Sequence, residues 1–379
     1  MNRRKFLTVL AAGGASLTLS ACDRMPDSAI EPWSGPAAGE TDPRLRALSW
    51  ALLAPNPHNL QSWIADVREP GAVVLSIDLR RLLPQTDPPN RQILIGCGAF
   101  LELLQMAAAQ EGWRADIELM PEGDYAASGI DLRPFARVRF EPDPRRPADP
   151  LFHAIRSRHT NRHPYQDRLP ELTLLQSLQA TAVRPGITVQ ATTVADSVRR
   201  IRDLAIAGYR VEFTTAATWS ESVNVMRLGP DAVADEPSGL PVLGAGAWWG
   251  RKLGLLGADD LHKTDGMAAR YAVDDSIQAA NATPAWIWLT SADNSRRTQI
   301  EAGRAYVRLQ LAATAAGLVM HPNSQVLQEF AQMQGLYRAF HEEVGVSQPA
   351  RVQMLARIGY AQPSEPSPRR PLTRILRRG

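Results

Sequence analysis

Two stretches of this 379-residue chain repeat one another without a gap. Arg91 to Gly112 (RQILIGCGAFLELLQMAAAQEG) and Arg296 to Gly317 (RRTQIEAGRAYVRLQLAATAAG) stand 205 positions apart. At that offset arginine meets arginine at the start, and glycine meets glycine at Gly98/Gly303 and at the end. Apolar residues recur at helical intervals in both, at Leu101, Leu104, Ala107 and Ala108 and again at Tyr306, Leu309, Ala312 and Ala313. Each stretch is therefore predicted to be a buried helix. A strand-like run rich in Val, Ile, Leu or Trp precedes each helix, Ala72 to Leu79 and Trp286 to Thr290. Two related strand-and-helix halves can build within one chain the interface that a shorter protein forms as a homodimer, and a site at such an interface is composite. The expectation is an α+β chain folded as an internal pseudo-dimer and working as a monomer.

Composition narrows the function classes. With 44% hydrophobic and 21% charged residues, the chain can bury one large core or two adjoining ones, and it reads as neither disordered nor a polytopic membrane protein. The formal net charge is +3, and basic residues alternate with acids along most of the chain, so no nucleic-acid footprint is expected. There is no H-E-x-x-H, C-x-x-C, G-x-S-x-G or Walker A sequence, His341-Glu342-Glu343 lacks a second histidine, and no metal site is expected. Cys97 lies in the apolar run Ile95 to Leu101 and reads as a small buried hydrophobe.

The N-terminus reads as an address. Arg3-Arg4-Lys5-Phe6-Leu7 opens a modestly apolar stretch too short to span a bilayer comfortably, and it resembles a twin-arginine export signal. Leu19-Ser20-Ala21-Cys22 resembles a lipobox, which makes Cys22 a lipidation candidate, gives membrane contact through a lipid anchor, and puts the mature protein in the periplasm or at the cell envelope. Residues 1–22 are read as this signal, and the Pro/Gly/Ala/Ser-rich stretch 23–42 as a flexible linker. The first half is placed at 43–145 and the second at 146–379. Residues 219–260, with Trp248-Trp249 and poor periodicity, form a lid-like insertion or a plain surface loop.

Four segments carry candidate chemistry. Ala54-Pro55-Asn56-Pro57-His58-Asn59-Leu60-Gln61-Ser62-Trp63 follows a helical stretch, Ala47 to Leu53, that the prolines stop, leaving amide donors and acceptors on a restrained loop. Ile155 to Arg162 (IRSRHTNR) places three arginines within seven residues, a pattern whose guanidiniums suit a phosphate. Leu355 to Tyr360 reads as a strand leading to the basic tail Arg369-Arg370. The second repeat helix runs into Gly317-Leu318-Val319-Met320-His321-Pro322-Asn323-Ser324.

In their order and position these segments resemble the nitroreductase superfamily, and in particular its exported, Acg-like branch, in which one chain mimics the usual dimer. The loop resembles A-P-S-x-x-N-x-Q-P-W, with Asn56 for Ser and Ser62 for Pro; the resemblance makes Pro55, Asn56, Asn59 and Gln61 flavin-side residues. Arg158, Thr160 and Arg162 resemble the R-x-S-x-R element that holds the phosphate and ribityl chain of FMN, and Arg369 and Arg370 match the basic residues that return to the phosphate. Pro322, Asn323 and Ser324 occupy the loop that passes the flavin N5 edge, although the commoner versions there are glycine-rich. The resemblance implies an FMN-binding oxidoreductase that reduces nitro, quinone or similar acceptors by two electrons, with small-molecule donor and acceptor and no assigned catalytic side chain. Export removes the usual nicotinamide donor, so the alternative is an envelope protein that binds or sequesters FMN without catalysis.

Overall fold

The structure, a computed structural model, describes residues 23–254 and 257–377. The signal read in residues 1–22, with Cys22, lies outside them. The first half opens where Asp42 accepts the Arg44 backbone N–H at 2.9 Å and Pro43 takes the first helical position, starting α1 (Pro43–Ala51). There follow β1 (Trp63–Asp66), β2 (Ala72–Ile77), the long helix α2 (Arg91–Gln110), β3 (Trp113–Leu119) and β4 (Ala136–Pro142). They form an antiparallel sheet in the order β1-β2-β4-β3.

The second half repeats this plan. After α3 (Leu172–Thr181) come β5 (Ile187–Thr192), β8 (Ala285–Ser291), the long helix α7 (Arg296–Ala315), β9 (Val319–Pro322) and β10 (Arg351–Gly359), and the sheet order is β5-β8-β10-β9. Between β5 and β8 the chain makes α4 (Ala195–Thr214), α5 (Ala216–Asn224), the short parallel pair β6 (Met226–Leu228) and β7 (Leu240–Val242), and α6 (Met267–Asn281). Between α7's sheet partners β9 and β10 lies α8 (Gln334–Glu343). Exchanging β5, β8, β9 and β10 for β1, β2, β3 and β4 reproduces the order of the first sheet. The insertion thus spans 193–284, wider than the expected 219–260, and replaces what is a five-residue connection at 67–71 in the first half.

The two long helices cross at the pseudo-twofold axis. A Cβ on Gly98 would stand 1.9 Å from the Ile300 carbonyl oxygen, and one on Gly303 would stand 1.9 Å from that of Ile95. Ile95 and Ile300 are themselves 205 positions apart, so the contact is reciprocal, as an isologous interface requires. The paired arginines cross the axis in the same way. Arg91 donates to the Leu327 and Gln353 carbonyls of the second half at 2.5 and 2.8 Å, while Arg296 donates to the Pro89 and Ala126 carbonyls of the first at 2.6 and 2.8 Å. Helix α2 is apolar enough on every side to cross a membrane, and the crossing explains why: it is buried all round. Cys97 lies on it, buried, and burial pushes its thiol pKa up.

The segment read as a flexible linker is docked instead. Residues 27–34 form two short helical turns, and Trp33 is 7% exposed, its indole N–H donating to the Ser367 carbonyl at 2.8 Å. The partners that order this segment lie more than 100 residues away, from Arg156, whose guanidinium donates to the Ser34 carbonyl, to Ser367, and for that reason its local composition gave no sign of them. The C-terminus also crosses between halves: Arg377 donates to the Ala65 carbonyl at 2.8 Å and Ala65 to that of Ile375 at 2.9 Å, adding a parallel bridge to β1. Within the second half, Thr160 makes a parallel bridge to Met320 on β9.

Candidate functional site

Between the halves lies a cavity of about 320 Å³, within the range of small-molecule sites. Its first wall is the loop after α1. His58, Asn59 and Gln61 all have positive φ, between 48° and 54°, an uncommon run for residues with side chains. Asn56 holds the loop in shape: its Oδ1 accepts the Gln61 backbone N–H at 2.8 Å, and its Nδ2 donates to the Ala54 carbonyl at 3.1 Å. The floor comes from α2, through Gln92, Ile95, Gly96 and Ala99. A Cβ on Gly96 would meet the Asn56 and Pro57 side chains at 3.1 and 3.2 Å, so glycine permits the loop to rest on the helix.

Of the residues singled out in the sequence, the cavity unites Pro55, Asn56, Thr160, Arg162, Pro322 and Ser324. Arg162 is an exposed residue that lines this space. It has no hydrogen bond or ion pair among the described residues, and the surrounding protein pushes its pKa down by desolvation. The other singled-out residues form a layer behind the wall. Gln61 is fully buried, donating to the Pro237 carbonyl at 2.9 Å and accepting the Arg370 backbone N–H at 2.8 Å. Asn59 accepts from Arg369 at 2.8 Å and donates to the Pro368 carbonyl at 3.0 Å. Asn323 accepts the Tyr209 hydroxyl at 2.5 Å. The loop amides on which a flavin-side role was expected therefore split: Asn56 faces the cavity, while Asn59 and Gln61 grip the C-terminal tail.

Arg158 and Arg369 are 1% and 2% exposed, and neither has a carboxylate partner. Arg158 donates to Gln310 Oε1 at 3.0 Å and the Leu53 carbonyl at 2.9 Å, and Arg369 reaches the same carbonyl at 3.3 Å. Both guanidiniums lie over the Trp33 ring, at 5.7 and 5.1 Å. Burial lowers both pKa values, Arg158 to about 10, and the Arg158 charge lowers Arg369 further. The Nε atoms of Arg158, Arg369 and Arg370 have no partner. Tyr306, which lines the cavity and is coupled electrostatically to Arg158, also has an unpartnered buried hydroxyl. Two buried cations held by carbonyl, amide and hydroxyl oxygens, together with the unpartnered Tyr306 phenol at the cavity, make a donor set that fits a phosphate monoester.

The insertion supplies the roof, through Tyr209, Phe213, Trp219 and Ser222, with Glu212 among them. Trp248 and Trp249, in the segment read as a lid-like insertion or a plain surface loop, are not among its lining residues. Sequence reasoning missed the roof because α4 is a surface-type amphipathic helix, and only the fold turns its Tyr209–Glu212 end inward.

The site is one-sided. The positions on α7 that correspond to the α2 floor hold Arg297, Ile300, Glu301 and Arg304. Here Arg304 pairs with Glu102 at 2.8 Å, Arg184 with Glu301 at 2.7 Å, and Arg308 with Glu102 and Asp149 at 2.9 and 2.7 Å. Ion pairs fill the ground that the cavity occupies on the other side of the axis. Among the described residues no cluster suited to a metal ion occurs.

No family model matches the sequence. Full-length relatives do. A Mycobacterium tuberculosis protein named as an NAD(P)H nitroreductase, acg, is 27% identical over 355 residues, covering 89% of this chain and 96% of the relative. The fold is nitroreductase-like. A second M. tuberculosis protein named as an NAD(P)H nitroreductase is 27% identical over 342 residues, covering 87% and 89% of the two chains. These likenesses extend over 87–89% of the chain. Among solved structures, the FMN-dependent nitroreductase NfnB of Mycobacterium smegmatis, crystallised with NADPH, covers 60% of this chain and 96% of its own, at 16% identity and a TM-score of 0.37. A nitroreductase-like protein of Bacillus cereus covers 60% and 95%, at 16% identity and a TM-score of 0.33.

Proposed function

We propose that this nitroreductase-like protein binds one FMN and uses it for two-electron reduction of nitro, quinone or similar acceptors. The observation that carries the reading is the composite cavity, where the Pro55–Asn56 loop of one half meets Thr160, Arg162, Pro322 and Ser324 of the other, with an arginine pair lacking carboxylates directly behind. When bound, FMN would supply hydride chemistry at its ring, as a cofactor that carries the hard chemistry itself. Arg158, Arg369 and Arg370 would hold the phosphate, Thr160 and Arg162 would hold the ribityl side and ring edge, and the loop residues would pack on the ring. Asn59 and Gln61 would act indirectly, by fixing the tail that carries Arg369 and Arg370.

The relatives' names favour reductase activity, whereas the insertion favours the second reading, an envelope protein that binds or sequesters flavin. Tyr209, Phe213 and Trp219 cover the cavity, and a cover that excludes water also excludes acceptors. Export through Arg3-Arg4 and anchoring at Cys22 remain part of the proposal, and mass measurement of the mature N-terminus tests both.

Purified protein should show flavin absorption in the visible, and Arg158→Ala combined with Arg162→Ala should lower FMN retention at least tenfold. Absence of flavin bands even after FMN addition would sink both readings. Photoreduced protein mixed anaerobically with quinones or nitroaromatics separates them: reoxidation supports the reductase, and its absence supports sequestration.

A further inference from the structure

The roof end of the cavity carries a polar group to which the proposed flavin contacts assign no role. Glu212, near the end of α4, is 1% exposed and faces the cavity, and its Oε2 has no hydrogen-bond partner. Its Oε1 lies 4.0 Å from His58 Nε2, too far for a direct hydrogen bond, and the Gln325 and Gln328 amides also face it. His58 is held by its left-handed backbone, with Nε2 3.2 Å from Ser222 Oγ. Among the described residues no arginine or lysine pairs with Glu212; its charged and titratable neighbours are His58 from the loop, Glu221 from α5 and Tyr209 on its own helix. Burial, reinforced by Glu221 and opposed by the glutamines, raises its pKa to about 7. Burial and the Arg162 charge hold His58 neutral down to about pH 4. Near neutrality the roof thus carries a carboxylic acid whose Oε2 makes no hydrogen bond among the described residues, beside the aromatic side chains of Phe213 and Trp219, which pack edge to face with ring centroids 5.7 Å apart.

We infer that Glu212 donates a hydrogen bond to the oxygen of a flat, uncharged acceptor, a quinone or nitroaromatic, seated against the insertion, with Phe213 and Trp219 as its apolar wall. This rests on the reading of the cavity as a flavin reductase site and names the acceptor end of it. A buried neutral acid suits an uncharged oxygen, because the ionised carboxylate has no proton to donate and would repel the oxygen's lone pairs.

The test titrates the protein, with and without FMN, with duroquinone between pH 5.5 and 8.5, following tryptophan or flavin fluorescence. Wild-type affinity should fall about tenfold as pH rises through 7, the effect of one lost hydrogen bond. Glu212→Gln keeps an N–H donor and should bind with little pH dependence, while Glu212→Ala should bind about tenfold more weakly than the wild type at pH 6. The infrared carbonyl band of a protonated carboxylic acid should be present at pH 6, fade above pH 7, and be missing from Glu212→Gln. Quinone affinity that is indifferent to pH and to Glu212→Ala would overturn the inference, as would loss of FMN rather than quinone from Glu212→Ala. Failure of the wild type to take up FMN would strike the flavin reading instead, and the quinone titration would still decide the subsite.

Discussion

Two glycines set how closely the halves approach. With Ile300 O and Ile95 O only 1.9 Å from the positions their Cβ atoms would take, neither Gly98 nor Gly303 can gain a methyl group unless α2 and α7 separate. Gly98→Ala and Gly303→Ala should each cost about 3 kcal/mol or more in denaturant unfolding, at the upper end for overpacking, and by similar amounts because the sites are equivalent. Gly246→Ala, in a helix with nothing within 4 Å of the new carbon, is the control and should be near neutral or slightly stabilising. Glu212 gives a second expectation at this scale. Its pKa is raised from 4.5 to about 7 in the folded chain, so between those values the folded state holds a proton that the unfolded state has lost. The stability it confers is complete below pH 4.5 and is lost as pH rises to 7, a swing of roughly 3 kcal/mol. His58, depressed to about 4, works in the opposite sense, losing stability as pH falls below 6.5. Thermal melts of Glu212→Gln should therefore gain on the wild type steadily from pH 5 to pH 7.5 and level off above; a constant difference would show that Glu212 titrates normally.

At the scale of elements, local signals and long-range contacts part company. The duplicated helices were legible because burial on all sides leaves an apolar pattern, and because the crossing forces glycine at one offset in both copies. The proline-stopped loop at Pro55 was legible for a similar reason, since its shape is made by its own residues through Asn56 and Gln61. The docking of residues 27–34 was not legible, as everything that orders them is remote: the Ser367 carbonyl receives Trp33, the Ala29 carbonyl receives the Arg369 backbone N–H, and Asp23 pairs with Arg251 of the insertion. Nor could the roof be read from the sequence, since Glu212 and His58 are 154 positions apart and neither belongs to a spaced motif. The docked segment closes over the buried arginines, so it should control their accessibility. Trp33→Ala removes the ring beneath both guanidiniums and the Ser367 hydrogen bond, and should destabilise this corner by about 3–5 kcal/mol. Trypsin should then cut after Arg369 at concentrations that leave the wild type intact, whereas the Arg370–Pro371 bond stays resistant in both; equal resistance at Arg369 would mean that the tail is held by Asn59 and Gln61 alone.

For the whole molecule, the question is whether two related halves amount to two folding units. The packing says they do not. The first core takes in Ile300, Val307 and Leu311 of the second long helix, the second core takes in Ile95 of the first, and the chain's last residues bridge to β1. Each half exposes its long helix if removed from the other, and α2 in particular would present an almost wholly apolar surface to water. The connection between halves, by contrast, is exposed at Arg145, where the Arg146 N–H makes a turn hydrogen bond to the Asp143 carbonyl at 3.0 Å. Cutting there removes little energy and leaves the helix crossing, the reciprocal arginines and the tail contact to act between fragments. Fragments 23–146 and 147–379 should therefore be insoluble or unfolded when expressed singly and should associate one to one when co-expressed, with a single cooperative unfolding transition that shifts up with concentration. The intact chain should run as a monomer near 41.6 kDa in sedimentation, because the interface that a homodimer would use is already filled from within. A folded, soluble 23–146 fragment on its own, or two separate transitions in the intact protein, would show that the halves are independent domains and that the cavity between them is held by something weaker than a shared core.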